Sequence, residues 1–148
     1  MANHQYQNQK KSLNYSKKHI DRSATSIRKK ICGPERDLAI EVIQNFREYH
    51  LYPLMLVKNH LQRTANIINP KIIIARRLKR LPTIINKLER PTLDVEESNR
   101  IKITRMQDIA GCRAIVNNLD ELNSLQKKLL NSRSVHKIIR VRNYLTPK

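Results

Sequence analysis

Near residue 70 the spacing of apolar residues changes, and that change limits what this 148-residue chain can fold into. Before it, apolar residues recur every three or four positions, as on one face of a helix. Ile20, Ala24, Ile27 and Ile31 predict a helix from about Tyr15 that Gly33 and Pro34 stop. Leu38, Val42, Ile43 and Phe46 predict a second over 35–49. Pro53 suits the first turn of a third, which carries Leu54, Val57, Leu61 and Ala65 to residue 66. After the change, three consecutive isoleucines open 71–80, a β-branched run that favours a strand. Pro82 starts a helix with Ile85 and Leu88 inward, and 111–116 is short, apolar and strand-like. Residues 118–132 predict an amphipathic helix with Leu119, Leu122, Leu125 and Leu129 on one side. Residues 136–144 alternate Ile139 and Val141 with Arg140 and Arg142, as a further strand would. Strand, helix and strand within about 30 residues suggest a βαβ unit. The expected class is α+β. Residues 1–13 form a disordered or loosely docked lead-in, 14–67 a helical N-terminal layer, and 68–148 the sheet-bearing part.

The 30 Lys and Arg outnumber the 12 Asp and Glu, for a formal net charge of +18. Such a field attracts polyanions: nucleic acid, an anionic membrane or phosphorylated small molecules. The cations are spread along the chain, which weakens a basic-arm reading. Five Tyr and one Phe are a poor stock for stacking single-stranded bases. No run of 18 apolar residues predicts a membrane span, and the polar first residues hold no apolar signal core, so the expected location is the cytoplasm, without a membrane partner. Cys32 and Cys112 are too few for a disulfide scaffold or a four-ligand zinc site and read as small buried apolar residues. His4, His19, His50, His60 and His136 lack metal-ligand spacing and read as surface or satisfied residues. Asp94, Glu96 and Glu97, with Glu89 before them, read as a solvated acidic loop.

Two stretches hold the residue types that phosphate chemistry needs. In "RRLKRLPTIINKLER" (76–90) a cationic strand feeds a helix whose first turn holds Pro82 and Thr83. Arg77 and Lys79 share one side of a strand, and Lys87 lies one helical turn beyond Thr83. Free N–H groups at the helix start, three cations and a hydroxyl would suit a triphosphate, although a solvated basic edge has the same spacing. In "RMQDIAGCRAIV" (105–116) Asp108 precedes Gly111, read here as a turn residue, and a strand that carries Arg113. One carboxylate plus substrate phosphates suits Mg²⁺; an ordinary salt bridge looks the same. Arg113 fits either a stacked base or a neighbouring acid.

Five stretches in order, "YSKKHIDRSATSIRK", "NFREYHLYPL", "ARRLKRLPTIINKLER", "RMQDIAGCRAIV" and "VRNYLTPK", resemble the RelA/SpoT-domain family of alarmone synthetases from about Tyr15 to Lys148. The resemblance is to stand-alone members with a helical N-terminal lead. It implies a mixed β-sheet of nucleotidyltransferase type, incomplete in these residues. It implies Mg²⁺ and transfer of the β,γ-pyrophosphate of ATP to the 3′-hydroxyl of GDP or GTP, as in guanosine tetraphosphate metabolism. By position it makes Arg77, Lys79, Thr83, Lys87 and Arg113 ATP-binding residues and Asp108 the metal ligand; Thr83 stands where the family usually has Ser. The family's Gly-Tyr-Arg-x-x-His guanine loop and later strand glutamate would follow "NYLTPK", and the 148 residues contain neither. The expected protein is therefore the ATP-side part of a synthetase, inactive alone. Its open sheet edge predicts poor stability, or pairing with a second copy or a full-length homologue. The alternative is a nucleic-acid-binding protein or a relative of tRNA-directed pyrophosphotransferase toxins, with RNA drawn by the positive charge.

Overall fold

The computed structural model describes residues 7–8, 10–90 and 102–145. Helix α1 is Lys17–Arg28, α2 is Pro34–Tyr49 and α3 is Leu51–Ile68. Strand β1 (Ile73–Leu78), helix α4 (Leu81–Glu89), a 3-10 turn (Ile103–Arg105), strand β2 (Ala110–Ile115) and helix α5 (Leu119–Asn131) complete the order. The α+β class is as expected.

Each helix boundary has a local cause. The Ser16 hydroxyl accepts the His19 N–H at 3.2 Å and caps α1. Past its end, Lys30 takes a left-handed φ of 55°. The Lys30 N–H returns to the Ile27 carbonyl at 2.9 Å and the Ile31 N–H to that of Ser26 at 3.4 Å, closing the helix. Gly33, with φ of 73°, turns the chain into Pro34, the first residue of α2. Only His50 separates α2 from α3. Pro53 falls inside the first turn of α3, where its missing N–H breaks no intrahelical bond.

The larger core joins Ile20, Ala24 and Ile27 of α1 to Val42, Ile43 and Phe46 of α2. It extends to Ile84, Ile85 and Leu88 of α4, with Ile103 and Ile109 sealing it. Leu13 and Tyr15 pack on this core, and Asn45 fastens the lead-in: its Nδ2 donates to the Ser12 carbonyl and its Oδ1 accepts the Asn14 N–H, both at 3.0 Å. A smaller core of Ala65, Ile72 and Leu125 lies where α3 and α5 meet the sheet. Asn118 Oδ1 accepts the Glu121 N–H at 2.8 Å, and Glu121 accepts the Asn117 N–H at 2.9 Å, a reciprocal cap that starts α5. Asn69 donates to the same carboxylate at 2.7 Å and ties α5 to the end of α3.

Strands β1 and β2 pair antiparallel, Ile73 opposite Ile115 through Leu78 opposite Ala110. Ile74 and Ala114 pack on the smaller core and Leu78 on the larger one. The other face carries Ile73, Ala75, Arg77, Gly111, Arg113 and Ile115, all exposed.

Several expectations are corrected. Residues 136–144 form no strand, so the βαβ unit is absent, and among the described residues the sheet is antiparallel and two-stranded rather than mixed. Alternation there records a preference, but a strand needs a ladder partner and none lies alongside. Leu38 is exposed because it stands outside the Ala39–Val42–Ile43–Phe46 stripe, and Leu119 is exposed at the very start of α5. Val57 is exposed too. Cys32 is exposed and Cys112 only part-buried, so neither is the buried residue expected. Gly111 lies within β2, not at a turn. His4 and the acidic loop of Asp94, Glu96 and Glu97 fall outside the described residues. No described helix is long and apolar enough to cross a membrane.

Ile43 is fully buried and Leu38 is not, which separates two neighbouring substitutions on α2. Ile43→Ala is expected to cost about 2–5 kcal/mol in urea unfolding followed by circular dichroism. Leu38→Ala is expected to stay within about 0.5 kcal/mol of the parent.

Candidate functional site

Where β1 ends, the backbone of Lys79 is held from two sides. Its N–H donates to the Ile109 carbonyl at 2.7 Å, and Arg47 Nε of α2 donates to its carbonyl at 2.7 Å. Ile109 is itself sealed in the larger core. The residue before it, Asp108, occupies the turn that leads into β2. The Lys79 ammonium hydrogen-bonds the Asp108 carboxylate. Lys87 reaches both carboxylate oxygens from α4, each at 3.2 Å.

Burial divides the three groups. Lys79 is 7% exposed, whereas the Asp108 side chain is 53% exposed, so the carboxylate meets solvent with one ammonium behind it. A buried ammonium costs several kcal/mol unless it is paired, and Asp108 supplies the pair. The hydrogen bond from Lys79 holds the Asp108 carboxyl below its ordinary value. Partial burial opposes this, and Lys87 adds to it. Two ammonium groups against one carboxylate leave the cluster with a charge of +1.

Three of the six residues expected from sequence therefore converge: Lys79, Lys87 and Asp108. Arg77 and Arg113 lie on the exposed sheet face. Arg77 is opposite Gly111 and Arg113 opposite Ala75, which makes the two arginines diagonal neighbours. A Cβ at Gly111 would meet nothing within 4 Å, so the sheet face beside Arg77 is open. Arg77 is exposed where Lys79 is buried, so the expected trio of cations splits into a pair on Asp108 and one arginine outside. The hydroxyl of Thr83, half-buried in the first turn of α4, makes no hydrogen bond among the described residues.

Two positioning residues were not anticipated. Arg47 fixes the Lys79 carbonyl. Asp21 of α1 accepts the Thr104 N–H at 3.2 Å and its hydroxyl at 3.0 Å, anchoring the turn that leads to Asp108. The signal for Asp21 lay in the sequence: it is the sole acid of the first 34 residues, amid eight Lys and Arg. Arg47 carried no comparable signal.

Among the described residues no group of three or more His, Cys, Asp or Glu side chains is arranged for a metal. Asp108 is a single carboxylate already neutralised by lysines. Such a donor set fits Mg²⁺ only in the company of phosphate oxygens, which complete the coordination and give the lysines another partner. No protein-family model matches the chain, and no curated protein matches it.

Because folding lowers the Asp108 carboxyl below its ordinary value of 3.8, the stabilisation is present above that value and lost as pH falls through the lowered one. At pH 7, Asp108→Asn is expected to cost about 1 kcal/mol, a figure discounted for the half-exposed carboxylate. Urea midpoints measured from pH 7 downward are expected to converge for parent and variant as pH falls past 3.8 and through the lowered value. A gap that stays constant with pH would refute the ion pair as its cause.

Proposed function

We propose that this chain is the ATP-binding part of an alarmone synthetase of RelA/SpoT type. The observation that carries the reading is the junction of Lys79, Lys87 and Asp108, a solvent-exposed carboxylate between two ammoniums. The sequence resemblance assigns the same three residues to ATP and Mg²⁺. Lys79 and Lys87 would take the phosphate chain and Asp108 would hold Mg²⁺, whose role when bound is to neutralise phosphate charge. Arg113, on the exposed sheet face, would lie against the base, with Arg77 beside it on that face. Thr83 offers a free hydroxyl one turn before Lys87. In the intact family the pyrophosphate goes to GDP or GTP. The reading gives the described residues the ATP and Mg²⁺ side of that transfer.

A second reading, binding of RNA including tRNA, draws on the +18 net charge. It predicts retention that falls steeply with salt and is indifferent to Mg²⁺ and to Asp108.

Titration of a fluorescent ATP analogue decides between them. The proposal expects saturable binding that Mg²⁺ strengthens, a roughly tenfold or greater loss in Lys79→Met and Lys87→Met, and no Mg²⁺ enhancement in Asp108→Asn. If all three variants bind as the parent does, the site assignment fails.

A further inference from the structure

Among the described residues the most exposed large apolar side chains, Val135, Ile139 and Tyr144, follow α5, and residues 134–141 border α3 and α5. A cleft of about 520 Å³ opens there, lined among others by Val57, His60, Leu129, Leu130, Ile138 and Val141. Ile139 beside it is 90% exposed, and Tyr144 and Leu145 are exposed as well. Among the described residues, the backbone N–H and C=O groups of 137–144 make no hydrogen bond. Unpaired main chain beside an apolar cleft is the arrangement that accepts an added strand.

The charge of the strip selects the occupant. No acidic residue occurs from Leu122 to Leu145, while Lys127, Lys128, Arg133, Lys137, Arg140 and Arg142 supply six cations. A second copy would set these cations against themselves, which disfavours self-pairing. A nucleic acid would meet an apolar cleft with no phosphate use for it, and Tyr144 is the one aromatic residue on the strip. A membrane favours a convex apolar face rather than a cleft.

We infer that residues 137–143 and the cleft between α3 and α5 form a docking site for an extended acidic segment of a partner protein. Its main chain pairs with 137–143, its apolar side chains enter the cleft, and its carboxylates face Arg140 and Arg142. This inference is independent of the nucleotide site.

The test is fluorescence anisotropy of the full chain with a labelled nine-residue peptide of alternating Glu and Val. A Lys–Val peptide and an oligouridylate serve as comparisons. The expected result is saturable binding of the Glu–Val peptide alone. The double variant Arg140→Glu, Arg142→Glu should weaken it at least about tenfold. Because alternate residues face a partner strand, one of Arg140→Pro and Val141→Pro should weaken it comparably, by removing a ladder donor. All these positions are exposed, and unchanged circular dichroism checks that the fold is kept. Lys79→Met should leave peptide affinity unaltered. Equal binding of the Lys–Val peptide, displacement of the Glu–Val peptide by oligouridylate, no saturable binding, or indifference to both sets of variants would each overturn the inference.

Discussion

The contact between the buried Lys79 ammonium and the Asp108 carboxylate is the constraint on which the rest of the structure turns. An ammonium this far from water is costly without its partner. Its partner lies 29 residues away. The molecule brings the two together through groups outside the pair. Arg47 fixes one carbonyl, Ile109 plugs the larger core beside the carboxylate, and Asp21 holds the turn upstream. The helical layer is in this sense the support of a two-residue ion pair that is buried on the Lys79 side and exposed on the Asp108 side.

How much could be read in advance follows the range of each interaction. The helices were legible because an apolar stripe of period 3.6 is a local property, as in Ile20, Ala24 and Ile27. The β1 strand was legible from its isoleucine run, and Lys79, Lys87 and Asp108 from the kinds of residue that surround phosphate. Arg47 acts across 32 residues on a main-chain carbonyl, and a main-chain contact leaves no mark on the identity of the residue that receives it; Asp21 reaches Thr104 across 83 residues, and its one mark is that it stands alone among cations. The segment 136–144 shows the converse. Its alternation is as clear as that of any strand, yet strand formation depends on a neighbour that sequence alone does not supply. Leu38 was misplaced for a smaller reason: it adjoins the stripe without belonging to it.

Charge is arranged with the same division of labour. Carboxylates are few, and several are spent on structure: Asp21 on Thr104, Glu89 on Arg36 at 2.6 Å, and Glu121 on Asn69 and Asn117. Among the described residues, Asp108 is the carboxylate with two lysine partners, and it is half-exposed. The surplus of cations therefore faces outward, on the sheet face through Arg77 and Arg113 and along the strip after α5, where no carboxylate offsets it.

The two cores are unequal, twelve buried residues in one and three in the other, and β1 spans both, with Leu78 in the larger and Ile74 beside the smaller. Local opening costs least where the fewest apolar contacts must be broken. Amide hydrogens of α5 should therefore exchange with solvent sooner than those of α1 and α2, and the protein should loosen from one end. The seam of that loosening runs across β1 itself. Lys79, with Asp108, belongs to the slow-exchanging side, while the Ile73 end of the sheet face belongs to the fast one. A ligand that touched both would thus do more than occupy a site: it would fasten the fast-exchanging part of the molecule to the slow one.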